Sequence, residues 1–189
     1  MTHTSQHTEE KVTFGFWVYL MSDCVLFASL FATYAVLQGA TFGMPAIATL
    51  ASLQFVLAET LILLTSSFTA GLAVLAARPH QQIPALNLLI ITLALGAVFL
   101  SMELYEFYHL VREGHGPSAN AAYSAFFTLV GTHGLHVFFG FVWGTLLFVQ
   151  ALLWGLNTTV IRRLLCFSLF WHFLDVIWIF IFTFVYLFG

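Results

Sequence analysis

The residues able to do chemistry in this chain are acids and histidines embedded in apolar runs: Asp23, Glu59, Glu103, Glu106, His109, His133, His136, His172 and Asp175. One ionised side chain at a bilayer centre costs at least about 2.5–3.5 kcal/mol on insertion scales. A chain that keeps this many must turn them inward, pair them or keep them protonated. Glu103, Glu106 and His109 fall at i, i+3 and i+6, close to one helical face; His133 and His136 are three apart, as are His172 and Asp175. Positions three or four apart share a helix face, so a carboxylate can accept from an imidazole on its own helix or the next. The expectation is a polar clasp that lines a bundle interior and fixes helix packing. A lipid-headgroup or proton-linked role is the second reading, and metal or haem ligation the third.

The metal reading has specific support and specific gaps. Glu106-x-x-His109 matches the Glu-x-x-His element of di-iron bundles, which need a second such element on another helix; this sequence has none. The run HGLH at 133–136 looks like a fragment of a membrane di-iron histidine cluster, but His3, His7, His80 and His115 lie in tails or loops without matching spacing. A bis-His haem could in principle draw its ligands from His133, His136 and His172.

These residues need elements to hold them, and composition says what kind. Apolar residues make up 61% of the 189, and charged ones only 7%. Water-soluble domains carry about a quarter charged residues, so the expected fold is all-α, a polytopic membrane bundle. No basic stripe points to nucleic acid. A helix needs about 20 mainly apolar residues to cross about 30 Å of hydrocarbon. Five stretches do so, roughly 14–38, 48–77, 84–110, 123–152 and 163–188. The breaks between them carry Gly, Pro, Asn and clustered polar residues, which stop helices. Short connections predict antiparallel neighbours, and continuous rather than alternating hydrophobicity excludes a membrane β-barrel.

The predicted organisation is a polar tail over 1–13 and one five-helix domain over 14–189. The first apolar run is expected to serve as both insertion signal and helix, with no cleavable leader before it. Lys11, Arg78, Arg162 and Arg163 lie at one end of a five-span arrangement and Arg112 at the other, which predicts a cytoplasmic N-terminus and a periplasmic C-terminus. Cys24 and Cys166 are expected to be small core residues. Gly140-x-x-x-Gly144 has the spacing that lets two helix backbones approach. Trp171 and Trp178 share a stripe with Asp175, whose carboxylate could accept from an indole N–H. The sequence has no phosphate loop, no nucleophile–base pair and no broken-helix repeat of the transporter kind.

Four segments, in order and covering nearly the whole chain from Phe14, are similar to subunit III of the haem–copper oxidases. They are GFWVYLMSDCVLFASLFATYAVL (Gly15–Leu37), SMELYEFYHL (Ser101–Leu110), GTHGLHVFFG (Gly131–Gly140) and FWHFLDVIWIFIFTFVY (Phe170–Tyr186). Five spans rather than seven, and the wording of ELYEFYHLVREGHGP, resemble most the short form in bacterial bo-type ubiquinol oxidases. Short cytochrome c oxidase subunits III are the alternative. The resemblance implies a non-catalytic accessory subunit with no cofactor of its own. Haems and copper would reside in the catalytic subunit I that it flanks, and it would hold structural phospholipid and support assembly, durability and proton uptake. Asp23, after Ser22, stands where the family commonly has a carbodiimide-reactive glutamate, a departure that weakens any proton-antenna role. The competing classes are a self-contained membrane metalloenzyme and a proton-linked transporter.

Overall fold

In a computed structural model the backbone is described for residues 2–41, 43–45, 47–50, 52–78 and 81–188, and side chains from Phe14 onward except Ala48. Lys11, His3, His7 and His80 therefore have side chains outside the described residues. The elements are α1 (Thr2–Leu37), α2 (Ile47–Leu50), α3 (Leu53–Ala77), α4 (Gln82–Arg112), α5 (Ala121–Trp154), α6 (Thr158–Ile181) and a terminal π-helix, π1 (Phe182–Leu187). Five segments are long and apolar enough to cross a membrane: α1 from Phe14, α3, α4, α5, and α6 continued by π1.

The ends show why the spans stop where they do. Asn120 starts α5 by accepting from the Tyr123 N–H (2.8 Å), and Asn157 starts α6 by accepting from Val160 (2.9 Å). Each satisfies a backbone donor that has no partner inside its helix. Asn157 also explains why α6 begins earlier than expected: NTT is a helix start as well as a break. α4 closes in a Schellman turn, with His115 N–H on Leu110 O (2.9 Å), Gly114 N–H on Val111 O (3.2 Å), and Gly114 at φ 85°. That left-handed backbone suits glycine because it has no Cβ to clash. The second span starts at Leu53 rather than near 48, because the short α2 turn precedes it.

α3, α4, α5 and α6 form the packed body, with α3 against both α4 and α6, and α5 against α4 and α6. α1 lies on the outside, chiefly against α5 and less against α6, with Leu20, Asp23, Phe27 and Tyr34 as its buried edge. The centre is aromatic: Phe27, Phe99, Phe126, Phe167, Trp171 and Trp178 are among its largest fully buried side chains.

Glycines on α4 and α5 accept rings from α6. The Trp171 indole lies between Gly96 and Gly140: a Cβ on Gly96 would sit 2.8 Å from its Cζ2, and one on Gly140 3.0 Å from its Cζ3. Gly144 likewise receives Phe167, its virtual Cβ 2.9 Å from that ring. The Gly140-x-x-x-Gly144 contact is tight, but it is helix to aromatic ring, where a backbone-to-backbone approach was expected. Cys24 is exposed and Cys166 half-buried, which corrects their expected place in the core.

Candidate functional site

The inward polar residues separate into four groups. In the first, Glu59 of α3 meets Glu103 and Glu106 of α4. All three are buried, Glu59 completely (0% exposed), and Glu59 is within electrostatic reach of both others. Tyr186 of π1 donates its hydroxyl to Glu106 Oε2 (3.2 Å). Both Glu59 oxygens and Glu103 Oε1 have no hydrogen-bond partner among the described residues. The expectation paired these acids with imidazoles, whereas they gather with one another.

π1 brings Tyr186 there. In an α-helix, five residues at about 100° each would leave Tyr186 about 140° away from Ile181 around the axis. The i→i+5 bonding of a π-helix, seen in Phe188 N–H on Thr183 O (3.1 Å), puts more residues into each turn and reduces that offset. Ile181, Val185 and Tyr186 are accordingly all buried. Tyr186→Phe should cost about 0.6–1.7 kcal/mol, the span from average to largest interhelical hydrogen bonds measured in membranes. The check is the midpoint of denaturation by SDS, which should fall in the variant.

The second group surrounds His133 of α5. This ring is fully buried, stacked on Trp178 (centroids 5.2 Å apart) and edge-on to Phe99 (6.0 Å) and Phe27 (6.4 Å). Neither ring nitrogen has a hydrogen-bond partner among the described residues. In the third group, His136 Nδ1 donates to Thr132 O (2.8 Å) and Nε2 faces Asp23 Oδ2 of α1 at 3.8 Å. That separation exceeds a hydrogen bond and serves as an ion-pair contact only when the ring is charged.

The fourth group joins α6 to α3. Ser67 Oγ is hydrogen-bonded to His172 Nδ1 and also faces the buried Asp175 carboxyl. His172 itself is exposed, at the edge of the bundle beside Gly71, which corrects its expected place in the interior: its ring reaches Ser67 from outside the packed faces.

His109 does not belong to the interior. Its side chain is 60% exposed, 3.2 Å from Glu113 and stacked on Tyr105. At about 100° per residue, position i+6 is about 120° from Glu103, too far round to share its face. The Glu106-x-x-His109 element is thereby split, its acid inward and its imidazole outward. Among the described residues no trio of His, Cys, Asp and Glu is arranged to hold a metal ion.

Sequence reasoning missed the hydroxyls of α3. Trp171 Nε1 donates to Ser66 Oγ (3.0 Å) and Trp178 Nε1 to Thr60 Oγ1 (3.1 Å), so neither indole serves Asp175. The one signal in the sequence was the pair Trp171 and Trp178, seven apart on one face of α6; Thr60 and Ser66, six apart, form no such stripe.

The profile of the family described as "Cytochrome c oxidase subunit III" matches residues 1–189. The chain is 51% identical over 190 residues to cytochrome bo(3) ubiquinol oxidase subunit 3 of Pseudomonas aeruginosa, covering 99% of this chain and 91% of that protein. It is 46% identical to the protein of that name in Buchnera aphidicola, covering 96% of this chain and 89% of that one. A probable quinol oxidase subunit 3 of Staphylococcus epidermidis is 42% identical, with 97% and 92% covered. Five spans in order and matches along the full length lead to one assignment: the chain belongs to the cytochrome c oxidase subunit III family.

Proposed function

We propose that this chain is subunit III of a proton-pumping terminal ubiquinol oxidase, which oxidises ubiquinol and reduces oxygen to water in aerobic respiration. The observation that carries this reading is identity of 51% and 50% over nearly the whole chain to two proteins named as subunit 3 of a bo(3) ubiquinol oxidase. The cytochrome c oxidase alternative is not favoured, because the similar relatives are named as quinol oxidases.

The chain acts as an accessory subunit, flanking a larger subunit I that bears the haems and copper. Its inward polar side chains serve packing, the Trp171–Ser66, Trp178–Thr60 and Tyr186–Glu106 bonds holding α3, α4, α6 and π1 in register. Structural phospholipid covers the outer helix faces. The complex lies in the bacterial inner membrane, with Arg78, Arg162 and Arg163 cytoplasmic and Arg112 periplasmic, following the positive-inside bias. Trp17 and Trp154, both exposed, fall at the cytoplasmic end, where amphipathic rings favour the interface.

Purification through a tag on this chain in mild detergent should recover a larger haem-bearing subunit together with ubiquinol oxidase activity. Recovery of a homo-oligomer alone, or of stoichiometric haem in the isolated chain, would overturn the reading.

A further inference from the structure

His172 is exposed at the middle of a span. It lies fourteen residues after Thr158 and fifteen before Leu187, the two ends of the last membrane-crossing segment. At 1.5 Å of rise per residue each end is about 20 Å away, too far for an imidazole to snorkel to the interface. Exposed hydroxyls on these spans are matched inside their own helix, as Thr65 is by Leu61 O and Ser101 by Ala97 O. His172 is matched on one nitrogen only. Ser67 takes Nδ1, and Nε2 has no hydrogen-bond partner among the described residues. Hydrocarbon offers it none.

We propose that the α3–α6 face around His172 seats a membrane helix of another subunit, which brings a hydroxyl or carboxamide side chain to Nε2. An accessible polar group at this depth selects its cover. Acyl chains have nothing to bond it with, and phospholipid head groups lie about 15 Å from the midplane. Phospholipid therefore suits the apolar outer faces but not this one. A quinone ring can reach the midplane, but it diffuses, and Nε2 would stand bare each time it left. A resident helix covers the ring throughout. The surface is also shaped for one. Gly71 stands beside the ring, and a Cβ there would lie 3.4 Å from Nε2. Without it a partner backbone can come close, as small residues permit at membrane helix contacts where polar side chains bond across. Leu64 and Leu75 share the stripe of Gly71 on α3, and Val176 and Ile179 that of His172 on α6. All four are exposed and give the contact an apolar surround.

The bonds behind the ring set what the partner group must do. Ser67 Oγ carries one hydrogen and faces both His172 and Asp175. If it donates to the Asp175 carboxylate, Nδ1 carries the ring hydrogen and Nε2 accepts. If it donates to Nδ1, Nε2 carries the hydrogen and donates. A hydroxyl or carboxamide answers both states, whereas an ammonium or a carboxylate answers one.

The choice of partner rests on the reading of the chain as one subunit of a larger oxidase, and the test keeps the two apart. p-Benzoyl-phenylalanine replaces Val176, 48% exposed and one turn from His172, in the intact complex, and the products of illumination are identified by mass spectrometry. A covalent product with a different subunit is expected. Two variants then separate the edges of the ring. An Asn amide stands near the place of Nδ1 and a Gln amide near that of Nε2. His172→Asn thus keeps the bond to Ser67 and loses the outward group, and His172→Gln does the reverse. In a detergent titration H172N should raise release of this chain from its partner by about threefold, the effect of one average interhelical hydrogen bond. H172Q should match the parent.

Adducts confined to lipid or quinone, or to a second copy of this chain, overturn the proposal. So does release from H172N no greater than from H172Q. In a complex that still carries its haem-bearing subunit, either result leaves the subunit reading standing; a parent complex without that subunit would overturn both.

Discussion

Trp178→Ala is expected to lower the stability of the assembled bundle by about 3 kcal/mol, the low end of the range for deleting a large buried aromatic. Trp178 is 0% exposed and stands where three helices meet. It is edge-on to Phe99 of α4 at 4.8 Å, stacked on His133 of α5 at 5.2 Å, and bonded to Thr60 of α3 at 3.1 Å. The low end applies because an unpacked helix in a membrane leaves its side chains in hydrocarbon rather than water. The transfer contribution of soluble proteins therefore shrinks, while lost dispersion contacts and the cavity remain. Trp178→Phe keeps a ring and loses the N–H, so it should cost about 1 kcal/mol, near the interhelical hydrogen-bond scale plus some packing. Trp154→Ala is the control, since Trp154 is 64% exposed and its loss should be within about 0.5 kcal/mol of neutral. SDS denaturation of the purified complex gives the three midpoints. Equal midpoints for W178A and W154A would mean that α6 does not close on α3, α4 and α5 as described.

The second large effect concerns the slot that receives Trp171. Gly96→Ala and Gly140→Ala each push a methyl into the indole, at 2.8 Å and 3.0 Å if nothing moves. Overpacking of this kind costs about 1–3 kcal/mol per site. The indole cannot retreat from one methyl without approaching the other, because Gly96 lies on α4 and Gly140 on α5. Its N–H is also tied to Ser66 on α3. The double variant should therefore lose more than the sum of the singles, by a coupling of about 0.5–3 kcal/mol. Trp171→Phe removes the benzo ring edge that Gly96 meets. It should thus restore part of the stability lost in Gly96→Ala while being destabilising in the parent. Additive singles, or no rescue by phenylalanine, would count against the sandwich. Retention of the haem-bearing subunit and the denaturation midpoint are the two readouts.

Much of the architecture could be read from the chain because the bilayer imposes one rule on every span, and length and hydropathy alone satisfy or fail it. Glu59, Glu103, Glu106, His133, Asp23 and Asp175 are buried for the same reason, since a lipid-facing position would penalise each. His109 escaped that logic by lying near a helix end, where a polar ring can reach the interface, and by a rotation that three-residue counting accumulates into error. The gathering of Glu59 with Glu103 and Glu106 could not be read, because single-helix spacing says nothing about which face of α3 meets α4. The π1 turn was hidden for a related reason: FTFVYL continues the apolar pattern of α6, and only the partner of Tyr186 reveals the altered pitch. Gly140 and Gly144 of α5 suggested close approach but could not say that the visitor would be an aromatic ring, and Gly96 of α4 carried no signal of its own.

The peripheral position of α1 has a consequence in time. It is made before the other four spans described here, yet it packs on α5 and α6, the last two of the five. Asp23 enters the membrane before His136 has been made. At about 5–20 residues per second, the hundred or so intervening residues take roughly 5–20 s to synthesise. Throughout that interval the acid has Tyr19 of its own helix, one turn earlier, as its neighbour, but not His136. The earliest of these five spans is therefore the last to find its seat, and assembly of this bundle waits on α5 and α6.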